Sequence, residues 1–212
     1  GMGTTVLSAV TTIGEIPEYY FQAIGSGTGA IAAWEANLRL IADGRFGNRK
    51  MKLMVSQNRP FTPIYDAWKA DSRDMLPLSD QLAREQVMEI LAKVLSNRRP
   101  PYGLKGGLYD AMKDAGGDVL LASNEEALQA AAIFEDSEGI DIHPAAAVAT
   151  ATLINAIQDG SVDRDALIML NVTGGGEERF KREKELHYLK PSLVFNIDPD
   201  TEEVMAKLEG LF

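Results

Sequence analysis

A chain of 212 residues, 45% hydrophobic and 25% charged, is long enough to bury the core of one large domain. Its 31 acidic against 21 basic side chains, a net charge of -10, argue against nucleic acid or an anionic membrane as partner, so any phosphate site has to be local. With no cysteine there is no disulfide framework, thiol nucleophile or cysteine-based zinc site, and no apolar run approaches the ~20 residues of a membrane span.

Thr4 to Ile13 carries Val6, Leu7, Val10 and Ile13 at helical spacing and stops at Gly14. This opening helix is expected to end a preceding domain, or to join two, over residues 1–16, with the C-terminal part of the main domain over 17–212. Gly1 to Thr5 has no basic region followed by an apolar core, so no signal peptide is read there. A soluble, cytoplasmic protein is expected. Tyr19, Tyr20, Phe21 and Ile24 form an aromatic and β-branched run that ends in Gly25-Ser26-Gly27-Thr28-Gly29. Apolar side chains then recur at 31, 34, 38 and 41, which makes strand, glycine loop, helix. Lys52 to Gln57 is a short strand, and Asn58 to Pro63 is irregular because Pro60 and Pro63 remove donors and restrain their neighbours.

Gln81 to Leu95 is predicted as one helix. Tyr102 to Gly107 is a second glycine-rich loop leading into a short helix that ends at Gly116-Gly117. Asp118 to Ala122 is a strand, and Ser123 with Glu126 starts the next helix as a capping box. Pro144 opens an alanine-rich helix that runs to about Gln158. Leu167 to Val172 is a nearly continuous apolar run, expected as a strand buried on both faces, and it leads into Thr173-Gly174-Gly175-Gly176. Glu177 to Glu185 reads as a solvated segment. A further strand is expected at Leu193-Val194-Phe195, followed by a short terminal helix. Four strands connected through helices imply an α/β fold, a doubly wound, mostly parallel sheet with helices on both faces.

In such sheets ligands sit at the C-terminal strand edge, which directs attention to the loops there. The Gly25 to Gly29 loop is either a phosphate cradle, in which freed backbone N-H groups converge with a helix N-terminus, or only a tight strand-to-helix turn. Thr173 ends a strand, and its hydroxyl can meet a heteroaromatic nitrogen without adding charge; a structural role is the alternative. Glu138 either faces a pocket or is a turn carboxylate. The two histidines, His143 and His187, lack ligand spacing; His143 is read as a helix-start residue rather than a catalytic base, and no metal site is expected.

Five ordered segments, AIGSGTGAIAAWEA at 23–36, LMVSQNRPFTPIYDAW at 53–68, NRRPPYGLKGGLYDAM at 97–112, EGIDIHPAAAVA at 138–149 and NVTGGGEERFK at 171–181, resemble the pyridoxal-phosphate enzymes of the threonine synthase lineage, with the tryptophan synthase β-like fold. The resemblance implies that Gly25, Ser26, Gly27, Thr28 and Gly29 hold the phosphate of pyridoxal 5'-phosphate and that Thr173 meets the pyridine nitrogen. A neutral hydroxyl there leaves the ring unprotonated and a weaker electron sink, suited to β-elimination and replacement. It further implies replacement of the phosphate of O-phospho-L-serine by sulfite, in a homo-oligomeric full-length enzyme. The alternative within the lineage is threonine synthase chemistry on O-phosphohomoserine with water. Gln57, Asn58, Arg59 and Thr62 become candidates for holding the substrate phosphate or sulfite, since their loop is expected at the binding edge and arginine suits tetrahedral anions; plain surface exposure is the alternative.

In this family the lysine that forms the Schiff base and the asparagine that contacts the ring hydroxyl lie upstream of the matching segments. None of the ten lysines here sits in a context resembling that site. The chain is therefore expected to be the C-terminal half of an enzyme and inactive alone, with a non-catalytic fragment or a phosphate-ligand binding module as the alternative of another class.

Overall fold

The computed structural model describes residues 1–196 and 198–211. Helix α1 (Thr4–Ile13) leads into β1 (Tyr19–Ala23), α2 (Thr28–Asp43) and β2 (Lys52–Asn58). Helices α3 (Pro63–Lys69) and α4 (Asp80–Glu89), a 3-10 turn at Lys93–Leu95 and α5 (Leu108–Ala115) then connect to β3 (Asp118–Ala122). Helices α6 (Asn124–Glu138) and α7 (Pro144–Gln158) precede β4 (Ile168–Leu170), and α8 (Glu177–Glu183) and α9 (Thr201–Glu209) complete the elements.

All strand pairs are parallel and the sheet order is β3-β2-β1-β4. The chain steps twice in one direction from β1, then crosses back to add β4 on the other side of β1. Alternation along the strands builds two cores. Tyr20 and Ile24 join Leu53 and Val55 beneath α1, α2 and α5. Phe21 and Ala23 face the other side, where the alanine-rich α7 packs against α6. Helices thus cover both sheet faces, as predicted. The buried Val6 and Val10 place α1 in the first of these cores.

Local chemistry explains most helix ends. Gly27, at φ 79°, precedes α2, and Gly44, at φ 76°, ends it. The Ser123/Glu126 capping box forms as expected. His143 starts α7 by accepting the Ala145 N-H on its Nδ1.

Three expectations are corrected. The helix predicted through Leu95 ends at Glu89, where Ile90 turns extended (ψ 144°). Side chains take over its hydrogen bonds: Asn124 Oδ1 accepts the Leu91 N-H at 2.8 Å and Asn58 Oδ1 accepts the Ala92 N-H at 3.0 Å. Asn124 also donates to the Glu89 carbonyl at 2.9 Å, and Asn58 donates to Asn124 at 3.1 Å. Secondly, the apolar run at Leu167 to Val172 is half-buried over Leu167–Asn171 and exposed at Val172, because β4 is a sheet edge that pairs only with β1 among the described residues. Thirdly, residues 193–195 form no strand; Val194 is 76% exposed. They belong to a second compact unit, residues 180–212, in which Asp200 caps α9 by accepting the Glu202 and Glu203 N-H groups. The first unit comprises residues 1–179.

The asparagine junction makes a quantitative expectation. Asn124→Ala leaves the Leu91 N-H and the Glu89 carbonyl unpaired and should lower unfolding free energy in urea by about 1–3 kcal/mol, whereas the exposed Gln81→Ala should change it by less than about 0.5 kcal/mol. Equal effects of the two substitutions would contradict the junction's role.

Candidate functional site

The reversal of strand order between β1 and β4 opens a crevice at their C-terminal ends, the position at which open α/β sheets bind ligands. Both loops singled out in the sequence leave the sheet there. From β1 the chain enters Gly25 to Gly29, and α2 begins at Thr28. Among the described residues, the backbone N-H groups of Gly25, Ser26, Gly27, Gly29 and Ala30 have no hydrogen-bond partner. They lie at the N-terminal end of a 16-residue helix, whose partial positive charge adds to theirs. The Ser26 and Thr28 hydroxyls, 3.0 Å apart, flank the same turn.

Two glycines fix this shape by close approach. A Cβ on Gly27 would come within 2.7 Å of Leu108 Cδ2 and would occupy a backbone conformation that L residues rarely adopt. A Cβ on Gly29 would stand 2.5 Å from Gln22 Nε2. The first turn of α2 therefore rests directly on β1. Unpaired N-H groups at a helix start are chemically able to hold a tetrahedral anion.

Beyond β4, Thr173 lines a cavity of about 600 Å³ together with Ala23, Val94, Leu95, Asp141 and His143. Gly25 borders the same wall, packed on Val94 and Leu95. The Thr173 hydroxyl is exposed and has no partner among the described residues. Its loop is pinned from one side by 141–143: His143 N-H donates to the Gly174 carbonyl at 2.9 Å, Gly176 N-H donates to the Asp141 carbonyl at 2.7 Å, and Ile142 bridges Gly175 in antiparallel fashion. The Asp141 carboxylate accepts the Glu178 and Arg179 N-H groups at 3.1 and 3.3 Å, and those backbone bonds hold its pKa below the usual 3.8.

The other predicted site residues lie elsewhere. Gln57 and Asn58 are about 1% exposed. Gln57 Oε1 accepts the Ile64 and Tyr65 N-H groups at the start of α3, and Asn58 is committed to the junction with Asn124. Neither side chain is open to a substrate. Thr62 donates to Asp66. Arg59 lines a separate cleft of about 270 Å³ with Glu126, Asn155 and Asp159. Glu138, exposed at the end of α6, does not line the Thr173 cavity. Sequence reasoning missed Asp141 and gave His143 a capping role alone. Their placement comes from the antiparallel bridge to Gly175, which joins segments too short to show periodicity.

In chemistry, the N-H groups of the glycine loop suit a phosphate and the neutral Thr173 hydroxyl suits a ring nitrogen. Comparisons with known proteins give the family. The family model described as pyridoxal-phosphate dependent enzyme matches residues 1–174. Cysteate synthase of Methanosarcina barkeri is 51% identical over 192 residues, which are 90% of this chain and 46% of that protein. The enzyme of the same name from Methanosarcina acetivorans is 50% identical over 206 residues, 96% of this chain and 50% of that one. The chain thus spans about half the length of the curated relatives it matches. Among solved structures, maize serine racemase superposes with a TM-score of 0.61 at 13% identity, covering 86% of this chain and 50% of that one. The serine racemase of Dictyostelium discoideum gives 0.55 at 14% identity, covering 84% and 49%. These two likenesses are of fold alone.

The Asp141 contacts carry a pH dependence. A carboxylate whose folded pKa is lowered contributes stability above its unfolded value, and that stability is lost as pH falls through the folded value. Amide exchange at Glu178 and Arg179 should therefore be protected at neutral pH and lose protection as pH drops below 3.8. Asp141→Ala should lose it at every pH; unchanged exchange in that variant would contradict the contacts.

Proposed function

The chain belongs to the pyridoxal-phosphate dependent enzymes, and on that premise we propose that Gly25, Ser26, Gly27, Thr28 and Gly29 take the cofactor phosphate, that Thr173 meets the ring nitrogen, and that the enzyme replaces the phosphate of O-phospho-L-serine with sulfite to give L-cysteate and inorganic phosphate. The observation that carries this is the convergence, at one topological switch point, of unpaired N-H groups at a helix start with an unpaired neutral hydroxyl at the neighbouring strand end. The roughly 50% identity to proteins named cysteate synthase supports the choice of substrates.

The chain's own residues do three things in this reading. The glycine-loop N-H groups bind the phosphate without a cationic side chain, by dipole and hydrogen bonds. Thr173 presents a hydroxyl rather than a carboxylate, so it can donate to the ring nitrogen without bringing the charge that would draw a proton onto it. The 141–143 segment holds the Thr173 loop in place through its backbone bonds to Gly174 and Gly176. The bound cofactor supplies the electron sink for loss of the α-proton and the β-substituent. No lysine is among the described residues lining the Thr173 cavity, so in this reading the lysine that carries the cofactor comes from outside these 212 residues.

Steady-state assay of the full-length enzyme separates the possibilities. Phosphate release from O-phospho-L-serine should require sulfite and yield L-cysteate; release from O-phosphohomoserine without sulfite would assign threonine synthase chemistry instead. Thr173→Val should lower kcat/KM by about tenfold, equivalent to ~1.4 kcal/mol, with Thr173→Ser within about threefold of the parent. Full activity in Thr173→Val would remove Thr173 from the ring nitrogen.

A further inference from the structure

Under the glycine loop runs a short chain of polar side chains that the proposed reaction does not use. Asn171, at the end of β4 and two residues before Thr173, donates from Nδ2 to the Tyr20 hydroxyl at 2.7 Å. The Tyr20 hydroxyl donates to Gln22 Oε1 at 2.9 Å. The Gln22 amide lies against Gly29, as close as a missing Cβ allows.

The direction of the chain is forced. Asn171 Nδ2 has only protons to give, so the single Tyr20 proton goes to Gln22 Oε1. That fixes the plane of the Gln22 amide, whose Nε2 and Oε1 both lie against Gly29. Tyr20 is 1% exposed, and burial pushes its pKa up to about 12, with the Asn171 bond opposing the rise. The hydroxyl therefore stays protonated and donating throughout the physiological pH range. The β4 backbone is fixed to β1 at the same level, where Asn171 N-H donates to the Phe21 carbonyl at 2.9 Å.

We propose that Tyr20 is a positioning residue that fixes the distance between the glycine loop and the Thr173 loop through Gln22 on one side and Asn171 on the other. The proposal rests on the reading of these loops as the seats of the cofactor's phosphate and ring nitrogen. A ligand that touches one loop is then insensitive to Tyr20, and a ligand that spans both is sensitive to it.

The test uses the purified protein with two probes, inorganic phosphate and pyridoxal phosphate, each titrated by calorimetry and by the phosphorus NMR shift. Tyr20→Phe and Asn171→Ala should each weaken pyridoxal phosphate about tenfold while leaving inorganic phosphate within about threefold of the parent. Asn171, half-buried, keeps the test open if Tyr20→Phe fails to fold. Val10→Ala, a cavity in the α1 packing, controls for stability: it should lower Tm and leave both affinities unchanged. The proposal is overturned if both variants bind pyridoxal phosphate as the parent does. It is equally overturned if they lose both ligands together, in step with Val10→Ala at matched Tm. Failure of the parent to bind either probe would instead overturn the reading of the site itself.

Discussion

Helix α2 meets β1 at Gly29, where a Cβ would stand 2.5 Å from the Gln22 amide, so a side chain there requires that amide to leave its place in the Tyr20 and Asn171 chain. The unpaired N-H groups of the loop belong to the residues just before and within the first turn of this helix. The field of a helix dipole and its orphan donors falls off within the first turn, so a shift of even an ångström or two would move its strongest part away from the crevice between β1 and β4. Gly27 adds the second restraint, with Leu108 filling the space that a side chain would need. The site's electrostatics are thus a by-product of packing.

Packing also dictates the polar chemistry at the end of β2, where three successive polar residues are buried. Thr152 gives its proton to the Ala149 carbonyl of its own helix, so Ser56 is the donor in the 2.6 Å contact between the two hydroxyls and ties β2 to α7. Gln57 holds the start of α3. Asn58 holds the 3-10 turn and α6. Each such bond adds only about 1 kcal/mol net, but leaving a buried partner unmatched costs about 1–3 kcal/mol, so the three act more as specifiers of arrangement than as sources of stability. Only Gln57 Nε2 is left without a partner among the buried side-chain atoms described.

Local signals were the legible part of the sequence. Strand β1, the glycine loop, the Ser123 capping box and the Pro144 helix start all rest on neighbours within a few residues, and each stands where the periodicity and cap chemistry put it. Thr173 was legible as a strand-end hydroxyl, and its cavity follows from topology. Gln57 and Asn58 were misleading because a polar residue at a strand's C-terminal edge carries the same sequence signature whether it faces a ligand or another helix. What separates the two is burial, which depends on α3, α4 and α6 arriving from other parts of the chain. The early end of α4 has the same origin: its apolar periodicity continued, but two asparagines 33 and 34 positions away from their targets offered better partners than the helix did. The Tyr20, Gln22 and Asn171 chain was hidden because its last member is about 150 residues distant from the first.

The asparagine junction also bears on how the chain reaches this arrangement. It links residues 58, 91, 92 and 124, so it cannot close until β2, the turn after α4 and the start of α6 have all assembled. Loop-closure entropy has to be met before these bonds form, and a half-built junction strands amides in a drying interior. The middle third of the chain therefore gains little from partial order and is best suited to closing in one cooperative step, after the more local β1-α2-β2 unit has formed. On that ordering the glycine loop is shaped early in folding, and the asparagine pair acts as the late latch.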